Sequence, residues 1–186
     1  NSYPKWVAGI NNSFTYKSFT LSFLFDGHFD VRKYDQLNNF MAAFGIAKYT
    51  ENRNETQVFD GVLADGTKNT KAVWLGQGVG PDGHNYVNGY YRNFYRGISE
   101  HFVEDASFIK LRTLTFSYNL NPAWLAKTFV KAASVGFTEN NLWIHTNYIG
   151  FDPESSSAVA GSNVNGFAGF TYPALRSFMF NINVTF

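Results

Sequence analysis

Apolar and polar positions alternate along much of this chain with a period of two, the signature of strands whose two faces meet different surroundings. The closing run SFMFNINVTF is the cleanest case. Phe178, Phe180, Ile182, Val184 and Phe186 fall on one face, with Asn181, Asn183 and Thr185 between them. In residues 6–16, Trp6, Ala8, Ile10, Phe14 and Tyr16 share a face against Gly9, Asn11, Ser13 and Thr15. In residues 19–31, Phe19, Leu21, Phe23, Phe25 and Phe29 stand against Thr20, Ser22, Asp26 and His28. Only Lys17 and Ser18 separate these two stretches, the spacing of a tight hairpin. A third strand is expected over 107–120, where Leu114, Phe116, Tyr118 and Leu120 alternate with Thr113, Thr115, Ser117 and Asn119. Ile109 and Leu111 lie on the opposite phase, which predicts a bulge or a change of environment near Arg112. The fourth strand covers 131–146, with no clear phase beyond Asn140, and the fifth covers 173–186.

The connections alternate in length. Those at 17–18 and 121–131 are short, whereas 32–105 and 147–172 are long, the first holding a short helical stretch around YDQLNNFMAAFGIAKYT. Two all-β architectures give this pattern. A soluble β-sandwich buries its apolar faces inside, and a transmembrane barrel turns them to lipid and keeps a polar lumen. Strand length, short turns on one side with long loops on the other, and aromatic residues at strand ends (Trp6, Tyr16, Phe29, Tyr118, Trp143, Tyr172) favour the barrel. With the C-terminus on the periplasmic side, both long loops become extracellular. Membrane barrels start at eight strands, so five imply either part of a larger antiparallel barrel or an architecture other than a barrel.

Composition narrows the classes. The chain has 186 residues, 45% of them hydrophobic and 19% aromatic, but only 16% charged. The net charge of +1 gives no electrostatic case for nucleic acid. With no cysteine, disulfides and thiolate metal sites are excluded. No run of eighteen apolar residues predicts a membrane helix. The opening NSYPKWVAGI does not read as a signal peptide, so the chain is expected to begin after processing or partway through a longer protein.

Four segments carry a family resemblance. FVEDASFIKLRTLTFSYNL is similar to the fvedgSFlRLknltLgYtLP segment of SusC/RagA-type TonB-linked outer-membrane proteins, and ENNLWIHTNYIGFDPESSS to their gqNLftwtkYkGfDPE. YPALRSFMFNINVTF resembles their closing YPqpRtftfGlnvtF, and SFTYKSFTLSFLFDGHFD resembles a segment farther upstream. The four keep the family's order and span nearly the whole chain. Asn121–Pro122 stands where Leu-Pro is usual, and the segment His28–Asp30 departs from the family's glycine.

The resemblance implies the C-terminal portion of a 22-stranded barrel, with the plug domain absent from these residues. It implies an importer of oligosaccharides or peptides working with a SusD-like surface lipoprotein and driven by TonB–ExbB–ExbD. It also implies that the last strand, Phe178, Phe180, Ile182, Val184 and Phe186, is the signal read by the barrel-assembly machinery. A receptor for siderophores or cobalamin, and a soluble β-sandwich carbohydrate-binding module, are the alternatives.

Candidate chemistry is sparse. In NYVNGYYRNFYRG, Tyr86, Tyr90, Tyr91, Arg92, Asn93, Tyr95 and Arg96 combine aromatic faces with Arg and Asn donors, a set suited to sugar rings or peptide backbones. GVGPDG matches G-x-G-x-x-G, but Pro81-Asp82-Gly83 reads as a turn rather than a helix start. Asp26, His28 and Asp30, spaced for one face, and Asp152-Pro153-Glu154 have ligand-type side chains. They are read as lumen residues and as a structural loop, and no metal or cofactor is expected. Four scattered histidines support no catalytic triad, so no enzyme activity is expected.

Overall fold

The computed structural model describes residues 1–157 and 166–186. Residues 158–165, within the expected loop 147–172, lie outside the described residues. In chain order the elements are β1 (Trp6–Tyr16), β2 (Phe19–Phe29), β3 (Arg32–Asp35), α1 (Gln36–Phe44), β4 (Thr56–Val58) and β5 (Ala72–Trp74). Then come α2 (Gly89–Asn93), β6 (Val103–Asp105), β7 (Phe108–Asn119), α3 (Pro122–Leu125), β8 (Ala132–Thr146), β9 (Phe167–Ala168) and β10 (Ser177–Thr185). The chain divides into a strand unit (Asn1–Lys33, Asp105–Ser155, Thr171–Phe186) and a loop unit (Tyr34–Glu104, Ser156–Phe170).

The strand unit is one antiparallel sheet in the order β1-β2-β7-β8-β10. Its register separates two surfaces. Ile10, Phe25 and Leu111 line up across three strands, as do Phe116, Phe137 and Phe180. Rings on this face meet in pairs: Phe19–Tyr118 at 4.6 Å, Phe19–Phe116 at 5.6 Å and Phe137–Phe180 at 4.9 Å. Glu139 is an exception on this face, between Leu114 and Phe178. The opposite face carries hydroxyl and amide pairs: Ser13–Ser22 at 2.8 Å, Thr115–Thr138 at 3.1 Å and Asn140–Ser177 at 3.1 Å. Cross-strand Ser and Thr pairs of this kind stabilise a polar face modestly, by about 0.2–1 kcal/mol each.

The change of phase in β7 is a bulge. Leu24 and Phe25 are adjacent on β2, yet they pair with Thr113 and Leu111, leaving Arg112 as the extra residue. On the other side Thr113 pairs with Asn140 and Leu111 with Trp143, so Asn141 and Leu142 stand against Arg112. Asn141 adopts φ 56°, a left-handed conformation that Asn tolerates better than most residues. The bulge returns Ile109 and Leu111 to the apolar face shared by Leu114, Phe116 and Tyr118.

The β1–β2 hairpin closes on Tyr16 and Phe19, with Lys17 at φ 54° and its ammonium 5.3 Å from the Tyr16 ring. Between β7 and β8, the Asn121 side chain caps α3 by accepting from Ala123 N at 3.0 Å, with Pro122 in the first turn.

The loop unit has a small core of its own. Phe102 and Leu75 are among its fully buried side chains. Helix α1 begins at Asp35, whose carboxylate accepts from Asn38 N at 3.0 Å, and ends at Gly45 with φ 68°. Strand β3 pairs in parallel with β9 through Tyr34–Phe167 and Asp35–Ala168, and β4 pairs antiparallel with β5.

Candidate functional site

Among the described residues, two clusters carry the chemistry, one in each unit. The first lies on the polar face of the strand unit. Arg112, delivered by the bulge, donates from Nε and Nη2 to Asp26 Oδ2 at 3.0 and 2.6 Å, and from Nη1 to Glu154 Oε2 at 2.7 Å. Its Nη2 also pairs with Glu154 Oε1, and Lys110 Nζ with Glu154 Oε2. Lys110 Nζ lies 3.6 Å from Asp152 Oδ1, and Lys33 Nζ donates to Ser155 O at 2.7 Å. Lys110 is only 3% exposed and Asp152 7%.

Charges buried to this degree persist only when paired and hydrogen-bonded. Here Lys33, Lys110 and Arg112 balance Asp26, Asp152 and Glu154. Burial lowers the Lys33 pKa, with Asp152 and Glu154 pulling the other way. Burial also works to raise the Glu154 pKa, but hydrogen bonds from Arg112 and Lys110 outweigh it and hold it below its ordinary value. The result is an electrostatic clamp on the GFDPES segment. The Asp152 carboxylate adds two backbone contacts, from Glu154 N and Ala174 N, both at 3.0 Å.

The residues with ligand-type side chains fall into place around this clamp. Asp26 is occupied by Arg112, and His28 Nε2 stands 3.9 Å from its carboxylate. Asp30 stands apart, 3.8 Å from Lys5 Nζ. Sequence reading singled out Asp26, Asp152 and Glu154 but not Lys33, Lys110 or Arg112. The available signal was the phase change at Arg112, which places a charge where the alternation breaks.

The second cluster is in the loop unit and contains the aromatic candidates. Tyr90, Tyr91 and Tyr95 pack on one another with ring centroids 5.4–6.2 Å apart, and Tyr90 stacks on Phe59 at 4.8 Å. Tyr91 Oη is within hydrogen-bonding distance of Asn52 Oδ1 (2.5 Å) and Tyr49 O (3.0 Å). Burial raises the pKa of Tyr90, Tyr91 and Tyr95, and pushes Tyr49 up to about 12, so all four stay neutral phenols.

Tyr86 sits beside this group, donating to Asp82 Oδ2 at 2.8 Å and packing edge-on to Trp74. Asn93 Nδ2 donates to Tyr86 O at 3.2 Å. The Arg92 and Arg96 guanidinium groups lie over the Phe44 and Phe40 rings at 5.7 and 5.6 Å. Arg92 and Asn93 are exposed, and so is Phe94, an apolar neighbour that sequence reading left out. The GVGPDG segment is a turn, closed by Gly83 N donating to Gly80 O and Gly80 N to His84 O.

In the last strand, Phe178, Phe180, Ile182 and Val184 face Glu139, Phe137, Val135 and Ala133 of β8. Phe186 stacks on Phe129 with centroids 5.5 Å apart. Among the described residues, no helix is long and apolar enough to cross a membrane.

Comparison with known proteins places this geometry. No family model matches the chain. Over its full length it is 26% identical to TonB-dependent receptor P39 of Formosa agariphila, of which it covers 16%. Over 48% of its length it is 33% identical to TonB-dependent receptor P3 of the same organism, covering 9% of that protein. Among solved structures it resembles the RagAB peptide transporter with a TM-score of 0.62 and 18% identity, covering all of this chain and 17% of that one. The "open-open" state of the RagAB peptide importer gives a TM-score of 0.59 at 19% identity over 98% of this chain. The chain thus spans about a sixth of the relatives that it matches along its whole length.

A two-faced antiparallel sheet with this likeness defines part of a transmembrane β-barrel of the outer membrane. Along its whole length the chain is similar to TonB-dependent receptors, and its fold matches part of the larger RagAB barrel. The relatives carry the names of receptors and importers rather than enzymes.

Proposed function

We propose that this chain supplies five membrane-crossing strands and two external loops of a TonB-dependent importer for oligosaccharides or peptides. The observation that carries the reading is the two-faced sheet, aromatic on one side and lined with hydroxyl and amide groups on the other. Its edge strands β1 and β10 cannot stay unpaired in lipid, so they pair within a larger barrel whose lumen conducts cargo. The crossing stretches are 6–16, 19–31, 107–120, 131–146 and 173–186, and the stretches 32–105 and 147–172 lie outside the cell.

In this reading the protein is a transporter and not an enzyme. A SusD-like lipoprotein covers the external side, and TonB–ExbB–ExbD supplies the energy. Tyr86, Tyr90, Tyr91, Arg92, Asn93, Tyr95 and Arg96 form the cargo-facing part of the first loop. Arg92 and Asn93 are its exposed donors, and the packed tyrosines hold the surface in shape. The Phe178, Phe180, Ile182, Val184 and Phe186 face serves as the signal for the barrel-assembly machinery.

The test uses the full-length receptor. Deleting residues 86–96 is expected to abolish uptake of its glycan or peptide while an outer-membrane barrel still shifts its gel mobility on boiling. Uptake at the normal rate would remove the cargo assignment. Phe186→Asp is expected to lower the amount of assembled barrel, and unchanged barrel levels would remove the assembly role.

A further inference from the structure

Alternation decides which face of β10 meets lipid, but not how far along β8 the strand lies. A one-residue slip would turn Phe178, Phe180, Ile182 and Val184 to the polar face. A two-residue slip in either direction leaves every one of them on the apolar face. The hydrophobic pattern therefore cannot choose among the even registers, and other groups must.

Such groups are concentrated at the start of β10. Asn141 Nδ2 donates to Leu175 O at 2.9 Å, and Arg176 Nη2 donates back to Leu142 O at 2.5 Å. Asn141 and Leu142 are the two bulge residues of β8, so this reciprocal pair seats the incoming chain on a feature that occurs at one place in the strand. One step earlier, Ala174 N donates to Asp152 Oδ2 at 3.0 Å, and Asp152 is itself held 3.6 Å from buried Lys110. One step later, Asn140 Nδ2 donates to Ser177 Oγ at 3.1 Å.

A second key lies in mid-strand. Asn181 pairs with Gly136, and its amide lies so close over that glycine that a Cβ there would collide with it. A two-residue slip would place Met179 or Asn183 against Gly136, and Asn181 against Ser134 or Thr138.

We propose that Asn141, Asp152 and Arg176, together with the Gly136–Asn181 fit, form a register lock for β10. The lock matters because β10 is an edge of this sheet, and closing a barrel demands a fixed stagger between neighbouring strands. A slipped β10 would satisfy β8 and still offer the wrong backbone groups to the strand on its other side.

The experiment is cysteine pairing in the full-length receptor, scored in the fraction whose gel mobility shifts on boiling. Ser134→Cys with Asn183→Cys reports the native register. Ser134→Cys with Thr185→Cys, and Ala132→Cys with Asn183→Cys, report the two slips. With the lock intact, only the native pair should cross-link. Adding Asn141→Ala and Arg176→Ala should lower the ratio of native to slipped cross-links by about tenfold or more, from the loss of two hydrogen bonds. Cross-linking confined to the native pair would overturn the lock. If the double variant yields no assembled barrel, Asn141→Ala alone and Gly136→Ala alone are scored in the same way. Slipped cross-links in either uphold the lock, and native pairing alone in both overturns it.

Discussion

The two units of this chain hold themselves together by different means. The strand unit repeats one rule for five strands, interrupted at the Arg112 bulge: mostly apolar residues on one face, mostly hydroxyls and amides on the other, in an antiparallel ladder. Many of its large apolar side chains are exposed, Phe180 at 81% and Ile182 at 73%, since its apolar face is made for lipid. The loop unit has short elements and no repeating rule. It buries Phe102 and Leu75, stacks tyrosines and spends polar side chains on backbone groups, as Asn39 does on Arg96 O at 2.8 Å. One unit is stabilised by matching a solvent and the other by excluding one. Charge therefore carries opposite meanings in them: on the apolar face of the sheet it is a defect, and on the polar face it forms the clamp at Arg112.

The largest expected effect tests the clamp. In the full receptor, Lys110→Ala removes the ammonium nearest the buried Asp152 carboxylate and should cost about 3–5 kcal/mol. The checkable outcome is a marked fall in the temperature at which the barrel loses its unboiled gel mobility. An unchanged temperature would mean that the clamp contributes nothing.

Next is a direct contrast between faces. Phe23→Arg puts a charge among Phe14 and Phe25 on the apolar face and should destabilise the barrel by about 2–4 kcal/mol. Ser22→Arg, one residue away on the polar face, should be far milder in the same denaturation series. Equal losses would erase the distinction between the faces.

A smaller effect concerns acid. Glu154 has its pKa held below the ordinary 4.5 by Arg112 and Lys110. A carboxylate with a depressed pKa stabilises the fold fully above its unfolded value, and loses that contribution as pH falls through the folded value. Amide protection factors around residues 152–155, corrected for the intrinsic pH dependence of exchange, should therefore stay flat from pH 8 to 5 and fall only below about 4.5. Loosening already at pH 6 would mean that another group controls the clamp.

The smallest effect belongs to the loop unit. Tyr91→Phe keeps the ring packing and removes the hydroxyl shared by Asn52 and the Tyr49 carbonyl, so it should cost about 0.5–1.5 kcal/mol. It should raise exchange locally in the loop unit and leave the barrel's heat stability unchanged. A drop in barrel stability would mean that the two units depend on each other more than their separate cores suggest.

These contrasts also mark what could be read without coordinates. The alternation in residues such as Phe178, Phe180 and Ile182 determined the two-faced strands, because period-two patterning is local and each residue reports its own side of the sheet. The broken phase at Ile109 and Leu111 marked Arg112 as the place of a bulge or a change of environment, and the structure shows the bulge. The tyrosine-rich run was visible too, but which of its rings would pack on Phe59 and which donors would stay exposed was not.

The tertiary structure alone decided where the bulge's arginine points and whom it meets. Asp26 lies 86 residues from Arg112 and Glu154 lies 42 residues away, and no local pattern announces pairs at those separations. It also chose the register of β10, since a strand with a perfect repeat fits its neighbour equally well at every second step. In the proposed lock, contacts at Asn141, Asp152 and Arg176, with the Gly136–Asn181 fit, distinguish one step from the next.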